Sequence, residues 1–304
     1  MIMEKIKYEK LIASTTMFVV SEPLEESYSN RVNEQTKELN ANLSHINSTS
    51  GLKIYISQYP NSLENILCLM DISLEKFKRI VSLLRIVKGY SVSSEWDLRK
   101  TRNYMLEKSD FMDEICELLI EGSETKKYQD TIPKFYLENF KINLNVLSRL
   151  TNDDDLKRLI KSKMETSYNN DIANYYFNTV TEEISRIVNN HGYDIELRTF
   201  NKLLNREVSA VVKHNGKIKL VVDISYMITT SSSQTDYSRK IKSAFDIQKR
   251  HNSDNPADSF LYIVIIDGAG WIGRQSDLQN IYKSCNYFLN LKNLSLLETI
   301  VKNF

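Results

Sequence analysis

Asp223 lies in the run Val221-Val222-Asp223-Ile224-Ser225, among three β-branched hydrophobic residues. Such a run forms a strand, and in a strand the side chains of Asp223 and Ser225 point the same way. A carboxylate with these neighbours is costly unless it meets a cation or hydrogen-bond donors. Two chemistries satisfy it. It can hold a bound cation and belong to a site, or it can pair internally with a lysine or with backbone N–H groups and be structural. Two more acids bear on the choice. Glu183 sits at the edge of the apolar face formed by Phe177, Val180, Ile184, Ile187 and Val188, whereas Glu182 points away. Glu207 opens the strand that precedes the one carrying Asp223. Each has an ordinary alternative: a solvated helical glutamate, and a strand-entry charge paired with Arg206 or Lys219.

Other constellations are weaker. His45, His191, His214 and His251 are scattered and form no metal-ligand or triad spacing. Cys68, Cys116 and Cys285 lie far apart without a CxxC pair, which argues against a disulfide framework or a zinc site and fits a reducing cytosol. Gly268-Ala269-Gly270 lacks the third glycine and the later acid of a dinucleotide fingerprint. Asp267 before it reads as structural, hydrogen-bonding its own turn while Trp271 packs.

The elements that must position these residues follow from periodicity and caps. In the first half, Ser73, Ser94 and Asp110 can each cap a helix, the first ending near Gly89 and the third near Gly122. Thr16–Val20 and Leu52–Ser57 read as β-like, Glu22–Thr49 as a solvated helix or surface segment, and Lys134–Leu150 as helical. The second half changes character. A helix over about 171–190 stops at His191-Gly192. Strands follow at 193–198, 207–213 and 219–226, the last two joined by His214-Asn215-Gly216, a strong hairpin signal. A Ser/Thr-rich loop at 229–235 leads into a helix ending near Arg250. Leu261–Ile266 is a strand buried on both faces. A helix from Ser276 to about Ser284, a strand at 287–291 and a helix at 294–301 complete the chain. This order predicts an α/β fold with a mixed central sheet and helices on its faces, plus a mainly helical N-terminal region. A soft boundary near the acidic run Thr151–Asp155 divides it into residues 1–155 and 156–304.

The order of the second half resembles the PD-(D/E)XK nuclease core, which has a helix, a three-stranded antiparallel meander, a helix and a further strand. The C-terminal segment is similar to type II restriction endonucleases, including the group that cleaves GATC sites. The residues concerned are Val264-Ile265-Ile266-Asp267-Gly268-Ala269-Gly270-Trp271, Arg274-Gln275-Ser276-Asp277-Leu278 and Tyr287-Phe288-Leu289-Asn290-Leu291. Asp223-Ile224-Ser225-Tyr226 with Ser231-Ser232-Ser233-Gln234 resembles the acid strand and following loop of such enzymes. The resemblance covers roughly residues 170–304. It implies that Asp223 is the acid of the (D/E)XK element and a Mg²⁺ ligand, with Mn²⁺ able to substitute, and that Glu183 or Glu207 completes the metal shell. The sequence departs from the pattern at two places. Ser209 stands where the first acid is expected and Ser225 where the lysine is, with Lys213, Lys219 and Lys240 as substitutes for the latter. The resemblance therefore implies either site-specific cleavage of double-stranded DNA by a homodimer in a restriction–modification system, or a DNA-binding protein that keeps the fold without cleaving.

Charge neither requires nor forbids that reading. The chain is +1 overall. Residues 205–250, however, hold nine Lys/Arg against four acids, a local balance of +5 that suits phosphate contacts as well as a solvated helix face. Ser232, Ser233, Gln234, Arg239 and Lys240 are the DNA-contact candidates. The basic helices with Lys76, Lys78, Arg79, Arg85, Lys88, Arg99, Lys100 and Arg102 can form a helix-turn-helix-like reading head. Residues 1–155 are thus assigned to recognition or dimerisation. Met1–Tyr8 is charged rather than apolar and no run approaches membrane-spanning length, so a cytoplasmic protein is expected.

Overall fold

The structure, a computed structural model, describes residues 4–42, 46–89 and 94–303. His45, counted above among the scattered histidines, lies outside them, as do the first three residues of the charged N-terminal segment. The chain divides into two compact units, Glu25–Thr166 and Met1–Leu24 with Ser167–Phe304. The first 24 residues, read with the helical region from sequence, thus belong to the sheet unit.

That unit is built on a five-stranded sheet in the order β1-β2-β3-β4-β5. The strands are β1 (Asp194–Asn201), β2 (Arg206–His214), β3 (Lys217–Tyr226), β4 (Leu261–Asp267) and β5 (Tyr287–Leu289). β1, β2 and β3 form an antiparallel meander, and β4 and β5 add in parallel. The β2–β3 turn is the expected one. Asn215 and Gly216 have φ of 51° and 75°, the left-handed pair that a two-residue hairpin needs. A register shift between Val212 and Lys213 precedes it.

Helices cover both faces. On one, Ile172, Tyr176, Val180, Ile184, Ile187 and Val188 of the helix Asp153–Asn190 pack on Ala210, Val212, Leu220, Val222, Ile263 and Ile265. On the other, Ile241 and Ala244 of the helix Ser233–Asp254 and Leu278 and Ile281 of Gln275–Lys283 pack on Val211, Val221, Tyr262 and Val264. A buried aliphatic or aromatic side chain of this kind stabilises by roughly 1.5–3 kcal/mol, and strands sandwiched this way must be apolar on both sides. This is why Leu261–Ile266 shows no alternation. After β4 the chain turns at Gly268, whose φ is 109°. A Cβ there would lie 2.2 Å from the Met227 carbonyl oxygen, so only glycine lets the two loops approach.

Several local expectations need correction. Leu52–Ser57 is not a strand but part of the helix Thr49–Gln58, capped by Ser48. Its buried Leu52, Tyr55 and Ile56 have spacings of three and four, which outweigh the β-branched content. Thr16–Val20 joins no sheet; its carbonyls at Thr16 and Met17 receive the N–H groups of Gly268 and Ala269. Asp97 rather than Ser94 caps the helix Leu98–Glu107. Lys134–Leu150 breaks into the short helices Lys134–Leu137 and Leu144–Ser148. The helix expected from 171 begins at Asp153, so the acidic run forms its first turn, where negative charge suits the helix dipole. Among the described residues, no helix is long and apolar enough to cross a membrane.

Candidate functional site

Asp223 is 3% exposed in the middle of β3. Its partner is a cation, but not a lysine. Arg206, the first residue of β2, grips it bidentately, Nη1 to Oδ2 at 3.0 Å and Nη2 to Oδ1 at 3.1 Å. Tyr262 of β4 completes the group: its hydroxyl donates to Asp223 Oδ2 and accepts from Arg206 Nη1. The nearby Ser209 backbone also favours the charged carboxylate. Burial nonetheless pushes the Asp223 carboxyl above the ordinary carboxylate range, against the pull of Arg206 and Tyr262. Burial likewise raises the Tyr262 hydroxyl well above its ordinary value, with the Asp223 charge adding to it. Tyr237, on the helix Ser233–Asp254, lies beside this group with a buried hydroxyl that has no hydrogen-bond partner among the described residues, and its ring lies 5.7 Å from that of Trp271.

The two serines at the departures from the nuclease pattern are both engaged. Ser209 Oγ accepts from the Ile224 N–H at 2.9 Å, closing the β2–β3 pairing beside Asp223. Ser225, 8% exposed, accepts from the Trp271 indole N–H at 3.2 Å. Asp223 and Ser225 do share a face, as their spacing required, and it is the face covered by the helix Ser233–Asp254.

The other acids are not brought to them. Glu183 belongs to the helix that packs on the opposite face of the sheet. It is clasped by Arg186 one turn on, at 2.8 and 2.7 Å, which lowers its pKa. Glu207 is exposed on β2. Since Arg206 points to Asp223, strand alternation sends Glu207 to the other side. Among the described residues, no three His, Cys, Asp or Glu side chains come together as a metal centre. A divalent cation at Asp223 would also have to displace a bidentate guanidinium. As placed, these side chains do not fit Mg²⁺ or Mn²⁺.

The loop and helix expected to meet DNA divide. Ser232 and Ser233 are exposed at the start of the helix Ser233–Asp254, with Ser233 Oγ 2.5 Å from Ser231 Oγ. Lys240 is exposed too, whereas Arg239 pairs with Asp236 at 2.8 Å. Gln234 is fully buried and its Oε1 accepts from the Ser231 N–H. It therefore fastens the loop internally and offers nothing to a duplex. Asp267 is structural, but not through its own turn. It accepts from the Thr16 and Leu291 N–H groups and the Tyr176 hydroxyl, tying together three distant segments.

Arg206 and Tyr262 were the residues that sequence reasoning did not assign to this group. A signal for Arg206 existed. With the hairpin turning at Asn215-Gly216, a cation from β2 that reaches Asp223 must sit near its start, and Arg206 is the Lys/Arg there. Tyr262 had no such signal, because it depends on the β3–β4 pairing.

Residues 130–302 match the family model described as the BanI C-terminal domain, more than half of the chain and including the whole sheet. BanI is a type II restriction enzyme. The match names BanI and not the GATC-cleaving group that the C-terminal segment resembles. No curated protein matches the chain.

Proposed function

Because the chain belongs to the BanI C-terminal domain family, we propose that it acts in restriction–modification as a type II restriction endonuclease, binding double-stranded DNA at a short site and cutting both strands. The family match carries this reading. The order of elements supports it: a helix, the β1–β3 meander, a helix and the parallel β4 follow the nuclease core that the sequence resembles. A homodimer fits it as well, since two-fold symmetry in the protein mirrors that of a palindromic site. The exposed Ser232, Ser233 and Lys240 would approach the backbone.

A second reading has its own observation. The Arg206–Asp223–Tyr262 group fills the place where the resemblance puts a metal-binding acid, which favours a protein that binds DNA through this fold without cutting it. One assay separates the two. The purified protein is incubated with mixed plasmid DNA and Mg²⁺ or Mn²⁺, and binding is followed in parallel by gel shift without metal. Discrete fragments support the first reading, and their loss in Asp223→Ala, checked to be folded, would give Asp223 a role in cleavage. Binding without fragments supports the second. Smearing means cleavage without site preference, and the absence of both binding and cleavage sinks both readings.

A further inference from the structure

The two edges of the sheet are treated differently. β5, at one end, is three residues long and buried throughout. The N-terminal segment runs past it: Lys5 Nζ donates to the Cys285 carbonyl just before β5, and Asn290 just after β5 donates to the Leu11 carbonyl. β1, at the other end, is eight residues long, and among the described residues no strand pairs with its outer edge. An uncovered edge presents unpaired N–H and C=O groups, and proteins usually guard it with charge. Here the charges are spent elsewhere. Glu196 is paired with Lys213 at 2.5 Å, and the Arg198 guanidinium is drawn aside over the ring of Phe177, 4.4 Å from its centroid. What β1 leaves in water is apolar: Leu197 is 44% exposed, Phe200 56% and, in the loop that follows, Leu203 38%. Phe200 and Leu203 line a groove of about 450 Å³ with Val211 and Ile218. One exposed leucine needs no account, but three neighbouring apolar side chains on an open edge do.

The charges at the two ends of β1 say what covers this edge. Asp194 is its first residue and Lys202 follows its last; both are exposed, and among the described residues neither has an ion-pair partner. They lie four positions to either side of Arg198. An edge with opposite charges at its ends and apolar side chains between them is complementary to itself when run antiparallel, and a two-fold axis supplies that arrangement. Arg198, which would meet its own copy on the axis, is the residue whose charge is drawn aside. We propose that the outer edge of β1, with Leu197, Phe200 and Leu203, is the surface through which two copies of this chain form a homodimer, Asp194 of one protomer meeting Lys202 of its partner. The inference rests on the homodimer in the function proposed above and names its interface.

The test is sedimentation equilibrium of the full chain without DNA, over a range of protein concentrations. Wild type is compared with Phe200→Glu, with Asp194→Lys and Lys202→Asp singly and together, and with Phe135→Glu as a control at an exposed aromatic residue of the helical unit. Wild type should dimerise. Phe200→Glu should dimerise at least about tenfold more weakly, as for an aromatic anchor at an interface, and Phe135→Glu should match wild type. Each single charge variant sets like charges together at both ends of the paired edges and should dimerise several-fold more weakly. The double variant should return to wild type, and an equimolar mixture of the two single variants should form mixed dimers, because each then supplies the charge that the other lacks. Dimers of wild-type strength in Phe200→Glu and in both single charge variants place the contact elsewhere and overturn this inference alone. Should Phe200→Glu not fold, the charge variants decide: single variants that neither weaken the dimer nor combine in the mixture overturn it. A wild-type chain that stays monomeric at every concentration gives the edge to another partner and overturns both this inference and the homodimer beneath it, while a gel shift by that monomer would leave the DNA-binding reading standing.

Discussion

Each compact unit buries a carboxylate beside cations, and the two behave in opposite ways. Glu114, 6% exposed in the helical unit, meets Lys127 and Lys88 at 3.0 and 3.1 Å. Burial pushes its carboxyl up, but the ammonium groups of Lys127 and Lys88, with Tyr128 close by, outweigh it and leave the pKa lowered. Asp223 has a better-shaped partner in the bidentate Arg206, yet burial wins and its pKa is raised. The difference lies in the surroundings. The lysines around Glu114 are 30% and 48% exposed, so the group borders water, whereas Asp223 is closed in by Tyr262, Tyr237 and the strands. Well-shaped contacts in a closed interior do not replace lost solvation, while ordinary ones at a rim can.

The largest effect that would break this contrast is at Asp223. Asp223→Ala leaves Arg206 facing a buried void and should destabilise by about 3 kcal/mol, the low end for a broken buried pair, since Arg206 is 20% exposed and can turn outward. The double variant Arg206→Met/Asp223→Leu should return to within about 1 kcal/mol of wild type. Urea denaturation measures both, and a double variant as unstable as the single one would show that the pair is needed for the fold. Next comes Glu114→Gln, expected to cost about 1–2 kcal/mol because its lysines can return to water.

The same variant sharpens the contrast through pH. A lowered carboxyl pKa gives stability that is present above the unfolded value, near 4.5, and is lost as pH falls through the folded one. A raised one, as for Asp223, gives stability present at low pH and lost as pH rises from 3.8 through the folded value. Glu114→Gln should therefore flatten the loss of stability on acidification below about pH 4.5. An acid limb of unchanged steepness would remove Glu114 from the account. The smallest effect is at the hairpin: Gly216→Ala, at φ 75°, should cost about 1 kcal/mol. A cost far above that would mean the turn, rather than the Arg206 pair, fixes the β2–β3 register.

Much of the sheet unit was legible in the chain. Asn215-Gly216 announced the hairpin, the unbroken apolar run at 261–266 announced a strand buried on both faces, and the stripe of Val180, Ile184 and Ile187 announced the helix beneath. These signals are local, because turn geometry and burial period act over a few residues. The N-terminal half was read less well. At Leu52–Ser57 β-branched content competed with a helical spacing that only packing resolves, and Thr16–Val20 gets its backbone partners from the loop after β4.

The sequence by itself determined that Asp223 must have a partner, because no ionised carboxylate sits unpaired in a strand of valines and isoleucines. Only the tertiary structure decided that the partner is Arg206 with Tyr262, and that Glu183 and Glu207 face elsewhere. Which side chain meets which is set by strand register and by the sheet face each element covers. Those are relations between segments tens of residues apart, and they are absent from any local spacing.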